Sequence, residues 1–239
     1  MKSIIGILLL CVTMSMAGQI MSTSVWYNTN VPATVEDLHI WLMEDTTDEQ
    51  GNSDLFILPN GEFNTSHVYE GTNSADINGT NEFLYTENSV DPTSTFTVAG
   101  ATYKGTNTEV VLIAGPLWEV RADMTNNRLL LKSFNSTGSS SAKTYGDNMG
   151  TLVLTMFTWV AAVDYDADTV GFWVNGDYAG GGAITYDPGT YNGNLYIGAN
   201  TLGQNTLWGH MDCVHLHTEL WDDTDVASFN SDPADPISK

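Results

Sequence analysis

The stretch from Thr151 to Gly182 constrains the fold more than any other part of this 239-residue chain. Two runs rich in β-branched and aromatic residues flank an Asp-rich turn at Asp164–Asp168, and the pair Asn175-Gly176 follows the second run directly. An Asn-Gly pair favours a two-residue hairpin, because both central positions of a type I′ turn need a positive φ. The stretch therefore predicts three consecutive antiparallel strands.

Short β-rich runs separated by Gly, Asn, Asp, Pro and Ser clusters recur through the rest of the chain, which is typical of a sandwich or barrel. Ser66–Tyr69 is predicted as one such strand, and Asn135–Ser141 as a flexible turn. The best helix candidate is short, at Asp222–Phe229, with acidic residues in its first turn. We predict an all-β fold, a two-sheet antiparallel sandwich of about twelve to fourteen strands in one domain.

The N-terminus has the pattern of a secretory signal peptide. Lys2 precedes the apolar run Ile4–Met14, and the small residues Ser15 and Ala17 precede Gly18. The run is too short to span a membrane, although an uncleaved hydrophobic anchor is the alternative. Cleavage would leave a secreted or extracellular-surface protein with no stable membrane span. The predicted division is a signal peptide at 1–17, a sandwich domain at 18–230 and a C-terminal tail at 231–239.

The charge balance excludes one class of partner. The chain holds 29 acidic and 7 basic Lys or Arg residues, a formal net charge of -22. Such a charge repels phosphate backbones, which argues against nucleic-acid binding. Of the two cysteines, Cys11 lies in the apolar N-terminal run, and Cys213 is predicted to be a small buried core residue. The cleaved chain would therefore have no intramolecular disulfide.

Four segments carry a family resemblance through their order along the chain: Trp159–Asp166, Gly171–Gly176, Leu195–Gly198 and Trp208–Leu216. Over roughly residues 150–230 the chain resembles the laminin-G-like, concanavalin A-like lectin-glucanase superfamily. The resemblance implies a jelly-roll sandwich. It also implies binding of glycans or proteins, sometimes with Ca²⁺ at the rim of the sandwich, or enzymatic action on polysaccharides. Because a fold does not determine a function, the choice depends on candidate sites.

The sequence lacks the catalytic patterns that this architecture would use. Glycosidases of this kind resemble a strand with Glu-x-Asp-x-x-Glu, in which alternate carboxylates share one face. No such run occurs, and Glu36-Asp37, Glu219 and Asp222-Asp223 lack the spacing. Neither a Gly-x-Ser-x-Gly elbow nor a His-Glu-x-x-His helix is present. We therefore predict a protein that is not an enzyme.

An alternating set of carboxylates is the candidate metal site. Asp164, Asp166 and Asp168 could point together at a rim and bind Ca²⁺. An EF-hand would need Gly and an acid at positions that hold Thr169 and Asn175, so that motif is excluded. The other interpretation is an ordinary Asp-rich β-turn.

Three histidines form a second candidate. Strand alternation places His215 and His217 on one face, with His210 nearby in sequence. A pair at this spacing can bind Zn²⁺, but no third ligand is visible, so we favour an exposed strand face without metal.

Aromatic residues are the candidate ligand-binding groups, since the chain has seven Trp. Alternation places Phe172 towards the core and Trp173 on the other face beside Gly171, an arrangement that we interpret as an open platform for a sugar ring. Trp118 and Trp208 lie near predicted loops and are further candidates.

These observations predict an exported, non-catalytic binding protein. Glycan recognition or adhesion at a cell or particle surface is the leading hypothesis, with a glycan or surface protein as the partner. The alternative is a self-assembling structural subunit of a surface layer, filament or virion. A polysaccharide-cleaving enzyme is the third and least favoured hypothesis.

Overall fold

The computed structural model describes residues 38–49, 54–58, 62–69, 71–77, 82–86, 95–105, 108–187, 193–204 and 206–234. The predicted signal peptide at 1–17 and positions 235–239 of the predicted tail lie outside these ranges. The proposed domain limits therefore stay predictions.

The described residues form two antiparallel sheets, which confirms the predicted all-β sandwich. In chain order the strands are β1 (Leu38–Trp41), β2 (Leu55–Leu58), β3 (Glu62–Asn64), β4 (Ser74–Ile77), β5 (Phe83–Thr86), β6 (Thr95–Lys104), β7 (Glu109–Gly115), β8 (Trp118–Asp123), β9 (Arg128–Phe134), β10 (Ser141–Tyr145), β11 (Met156–Asp164), β12 (Thr169–Val174), β13 (Asp177–Ala183), β14 (Tyr196–Ile197) and β15 (Gly209–His217). The eight-stranded sheet has the order β13-β12-β11-β6-β15-β4-β3, with β1 also beside β15. The seven-stranded sheet has the order β10-β9-β8-β7-β14-β5-β2.

The stretch from β11 to β13 folds as its sequence predicts. β11 pairs with β12 and β12 with β13, both antiparallel. The turn between β12 and β13 contains Asn175 at φ 52° and Gly176 at φ 84°. Both central residues have positive φ, as a type I′ turn requires.

A large apolar core lies between the sheets. Alternate residues of the strands point into it, and its largest fully buried members include Trp41, Trp159, Phe96, Phe157 and Phe172. Burial of aromatic side chains on this scale supplies most of the favourable free energy of folding.

Within the described ranges, an α-helix, α1 (Asp223–Ser231), packs on the outer face of the eight-stranded sheet. Asp222 caps it, because the Asp222 side chain accepts from the backbone nitrogens of Thr224 and Asp225 while the Asp225 side chain accepts from the backbone of Asp222. This capping box satisfies amide donors that a helix start otherwise leaves without partners. α1 is too short and too polar to cross a membrane.

Beneath α1 lies a second apolar cluster, separate from the main core. Trp173 and Val160 of the sheet contact Trp221, Val226 and Phe229 in it. The helix therefore removes this half of the outer sheet face from solvent.

Two segments differ from the prediction. Ser66–Tyr69 is not a strand, because its backbone amides bind side chains instead of a neighbouring strand: Ser66 N donates to Asn64 Oδ1 (2.8 Å) and Tyr69 N to Asp212 Oδ2 (2.8 Å). Conversely, β10 forms a polar edge strand for which no element was predicted; it begins at Ser141, the last residue of the predicted turn, and positions 135–140 do form a turn. Its side chains are mostly exposed, so it has no apolar alternation for sequence reasoning to detect.

A β-bulge interrupts β15. Asp212 pairs with Ala101 and His215 with Ala99, so Cys213 and Val214 of β15 together lie opposite the single residue Gly100 of β6. Cys213 has a φ of 48°. Cys213 is buried, as predicted. The extra residue reverses the alternation of faces along the strand.

Candidate functional site

The three predicted tryptophans occupy different environments. Trp208 is 48% exposed, whereas Trp118 is 3% exposed and Trp173 is 9% exposed. Trp173 does lie on the sheet face opposite to that of Phe172, as predicted. However, α1 covers the Trp173 ring, and its Nε1 donates to Asp223 Oδ1 (3.0 Å). The expectation of an open platform is therefore corrected for Trp118 and Trp173, since neither ring presents a free face.

Glycine explains why these rings are buried. The Trp173 ring lies over Gly171, where an added Cβ would be 2.9 Å from Cη2, and the Trp118 ring lies over Gly115, where it would be 2.4 Å from Nε1. A glycine beside a tryptophan here makes room for the ring itself.

The Asp-rich turn has the geometry of an ordinary turn. Asp164 Oδ1 accepts from Ala167 N (2.9 Å), and Asp168 has a φ of 54°. Within the part of the chain that the structure describes, no three His, Cys, Asp or Glu side chains are grouped to hold a metal ion, and Asp164, Asp166 and Asp168 are among those residues. Calcium binding stays a prediction.

His215 and His217 are buried beneath α1, which corrects the expectation of an exposed strand face. Their rings stack with centroids 5.9 Å apart, and His215 Nε2 donates to the carbonyl oxygen of Pro233 (2.7 Å). Burial lowers the pKa of His215 to about 4, and the bond to Pro233 opposes this effect.

A different group of side chains lies together on the uncovered half of the same sheet face. Glu62 of β3 pairs with Asp76 of β4, Asp76 with His210 of β15, and His210 with Tyr103 of β6. The neighbouring strand residues point into the core, so these four side chains point outward. We call Glu62, Asp76, His210 and Tyr103 the polar row.

The segment after β3 lies against the polar row. The exposed His67 ring stacks on Tyr103 with centroids 3.6 Å apart and lies 4.6 Å from the His210 ring. His67 has a φ of 51°, in the left-handed region that a residue other than glycine seldom adopts. This backbone conformation positions the imidazole as an exposed aromatic surface beside the row.

Asp76 is the most unusual member of the polar row. Its Oδ2 accepts from Asn64 Nδ2 (2.8 Å), but its Oδ1 is buried without a hydrogen-bond donor among the described residues. Asp76 as a whole is only 8% exposed. Buried carboxylate oxygens are nearly always hydrogen-bonded, so this acceptor is suited to a donor from outside the chain.

His210 adds a second acceptor. Ser74 Oγ donates its hydrogen to Ser66 O (2.7 Å), so it accepts from His210 Nδ1 (3.3 Å). Burial lowers the pKa of His210, Asp76 raises it and His67 lowers it further. The neutral ring that results at pH 7 holds its hydrogen on Nδ1 and presents Nε2 as an acceptor.

Trp208 lies directly before β15, two residues ahead of His210 of the polar row. It precedes Gly209 and His210, and its carbonyl oxygen would be 3.8 Å from a Cβ added at Gly105, so their backbones adjoin. The Trp208 side chain is exposed two positions before His210, and the exposed His67 ring lies against Tyr103 and His210 of the row.

Sequence reasoning did not find most of this site. Trp208 and His210 were singled out, but His210 was grouped with His215 and His217. Asp76 lies between the core residues Ala75 and Ile77, an alternation that indicates an outward carboxylate. Its partner on β15 is more than 130 positions away in the sequence, and no local pattern predicts that pairing.

No protein-family model and no curated protein matches this chain. Solved structures do share its fold. Domain 4 of AbnA, a GH43 extracellular arabinanase from Geobacillus stearothermophilus, in complex with arabinotriose, has a TM-score of 0.64 at 14% identity, over 82% of this chain and 97% of that one.

Toxin domains share the fold as well. The binding domain of Paraclostridial Mosquitocidal Protein 1 has a TM-score of 0.60 at 12% identity, over 81% of this chain and 51% of that one. The botulinum neurotoxin serotype D ligand-binding domain in complex with N-acetylneuraminic acid has a TM-score of 0.61 at 10% identity, over 82% and 50%. This chain thus spans about half the length of these toxin domains, and identities this low establish the sandwich fold alone.

Proposed function

We propose that this chain is a non-catalytic glycan-binding sandwich of the laminin-G-like, concanavalin A-like kind, and that it binds sugar at the polar row. The observation that carries the proposal is the buried Asp76 Oδ1, which has no donor among the described residues. Its strand partner His210 lies 4.6 Å from the exposed His67 ring. Sugars present hydroxyl donors at their edges and apolar C–H groups on their faces. The row and its rings match both features.

The fold also supports glycan binding. Among solved structures with this fold, one is an arabinanase domain in complex with arabinotriose and another is a toxin domain in complex with N-acetylneuraminic acid. These ligands belong to those proteins. They make glycan binding a natural use of the sandwich, and the residues of this chain decide which glycan it takes.

Binding would combine three contacts. Asp76 Oδ1 accepts from one sugar hydroxyl or from a bridging water once a small rotation of the side chain brings it to the surface, and a second hydroxyl donates to Nε2 of the neutral His210. The sugar ring stacks on the exposed His67 ring, which lies against the row, or on Trp208, which is exposed two residues before His210. Asn64 holds the Asp76 carboxylate in place through its bond to Oδ2.

A glycan array followed by calorimetry on the hits tests the proposal. Asp76→Asn should weaken binding by about tenfold or more, because a donor group replaces one of two acceptor oxygens, and Trp208→Ala should do likewise. Matched controls are Asp177→Asn, an exposed acid on β13, and Tyr145→Ala, an exposed aromatic on β10. Absence of any glycan ligand, or equal losses in the controls, would contradict the proposal.

The same experiments address the remaining expectations. Repeating the array with EDTA tests the Ca²⁺ prediction for Asp164, Asp166 and Asp168, since a calcium-dependent site loses affinity. Reducing-sugar release from a bound polysaccharide would contradict the non-catalytic assignment. Sequencing the N-terminus of the secreted chain tests cleavage after Ala17 and export.

Self-assembly is the second candidate, and exposed apolar side chains favour it. Leu154 is exposed in the connection that leads into β11, and Leu202 and Trp208 are exposed in the connection that leads into β15. Both β11 and β15 begin beside the end of β6. Clustered apolar exposure at one end of a domain is typical of an interface. Sedimentation over a wide concentration range tests it: a strict monomer would count against assembly.

A further inference from the structure

The basic residues of this protein are segregated onto one sheet. Among the residues that the structure describes, every Lys and Arg except Lys104 lies on β8, β9 or β10: Arg121, Arg128, Lys132 and Lys143. The core residues of β8 and β9 alternate with them, so Arg121, Arg128 and Lys132 lie on the outer face of the seven-stranded sheet. That face points away from the polar row.

These cations are also paired where they lie. Arg121 bonds Glu109 (2.8 Å) and Glu119, and Lys143 bonds Glu109 (2.7 Å). The Lys143 and Arg121 interactions hold the pKa of Glu109 below its usual value, although burial opposes them. The network keeps these positive charges on their own sheet.

Lys104 is the only described Lys or Arg on the eight-stranded sheet, and its side chain points into the core, away from the face that carries the polar row. Its neighbour two residues back, Thr102, bonds the core residue Trp159, so Lys104 also points between the sheets. Its Nζ donates to the carbonyl oxygen of Leu207, and burial lowers its pKa to about 8. Lys104 is fully buried and is not available to a ligand on the outer face.

The polar row therefore joins two carboxylates, Glu62 and Asp76, to a His210 that burial keeps neutral at pH 7. Its identified free groups, Asp76 Oδ1 and His210 Nε2, are acceptors. A sugar hydroxyl can donate to them. A ligand carboxylate, which only accepts, meets two like charges there and no Lys or Arg from the described residues to offset them.

We propose that the polar row recognises glycans without acidic groups and rejects uronic and sialic acid sugars. This inference rests on the proposed glycan-binding function and adds the class of ligand. The net charge of -22 acts in the same direction, because it repels anionic polysaccharides before contact. The site thus differs in specificity from the toxin domain of the same fold that is in complex with N-acetylneuraminic acid.

Pairs of sugars in which one member carries an acidic group or an acidic sugar residue that the other lacks test the inference. Calorimetry would compare oligogalactose with oligogalacturonate, oligomannose with oligomannuronate, and lactose with 3′-sialyllactose, each in low and high salt. The neutral member of any pair that binds should be favoured by about 100-fold or more in low salt, and salt should reduce that ratio. An acidic member that binds as tightly as its neutral partner would overturn the inference and leave glycan binding intact.

A charge-reversed variant separates electrostatics from shape. Glu62 is exposed on the edge strand β3, so Glu62→Lys should fold normally and should lower the neutral-to-acidic ratio at least about tenfold. Asp177→Asn, on the opposite edge of the sheet, should leave the ratio unchanged. An unchanged ratio in Glu62→Lys would overturn the electrostatic basis of the inference, and failure of all six sugars to bind would count against the proposed function itself.

Discussion

The Trp173 indole lies against Gly171, two residues earlier in the same strand, so closely that an added Cβ would be 2.9 Å from Cη2 of the indole. The Tyr178 ring contacts the indole edge-on, with centroids 5.2 Å apart. Two other tryptophans have the same relationship with the glycine opposite them on the neighbouring strand: Trp159 with Gly100, and Trp118 with Gly115. Missing side chains thus provide the space in which three large rings are buried.

Gly171→Ala should therefore destabilise the protein. The new methyl group would force the Trp173 ring away from the sheet and from α1, at a cost of about 1–3 kcal/mol. Urea unfolding monitored by circular dichroism measures it. Gly105→Ala is the matched control, because its Cβ would meet only Trp208 O at 3.8 Å, and equal losses in both variants would contradict the explanation.

Thr102→Val should be costly for a different reason. Thr102 Oγ1 accepts from the indole Nε1 of Trp159 (2.9 Å) in the core, and valine would leave that buried donor without a partner. The expected loss in the free energy of unfolding is about 1–3 kcal/mol. In a double-mutant cycle, Thr102→Val should cost clearly less in a Trp159→Phe background, and full additivity would refute the role of this bond.

Acid should weaken the packing of α1 through His215. Because burial lowers its pKa to about 4 from an unfolded value near 6.5, the folded state binds fewer protons than the unfolded state between these pH values. The contribution of the neutral ring is complete above pH 6.5 and is lost as the pH falls to about 4. It amounts to about 3 kcal/mol at most.

Unfolding of the wild type and of His215→Phe at pH 7 and pH 4.5 measures this effect. The variant cannot titrate at this position, so it should lose less stability on acidification than the wild type. The other ionisable groups are the same in both proteins, so their contributions cancel in the comparison. Equal losses would show that His215 does not carry the pH dependence.

Among the described tryptophans, Trp208 should contribute most of the fluorescence that acrylamide can quench. Trp208→Phe should lower the acrylamide quenching constant, whereas Trp173→Phe should leave it nearly unchanged, because Trp173 is shielded by α1. A bound glycan that stacks on Trp208 should protect the wild type from quenching to a similar extent. Quenching that is insensitive to Trp208→Phe would contradict the exposure of this ring.

Local sequence signals predicted the elements that depend on neighbouring residues. The Asn175-Gly176 turn, the three strands around it and the acidic start of the terminal helix were all visible, since turns and caps are set within a few positions. The bent segment at Ser66–Tyr69 was misassigned because distant side chains, such as Asp212, bind its backbone. Propensity cannot register such a partner.

The sequence by itself determined an antiparallel β protein with a buried Cys213 and no acidic-pair motif for catalysis. Tertiary structure decided which side chains meet. The bulge at Cys213 places His215 on the same outer face as His210, although simple alternation would separate them. α1 then covers His215 and leaves His210 uncovered beside Asp76. Strand pairing between residues far apart in the sequence determines these neighbours, and local backbone preferences do not specify it.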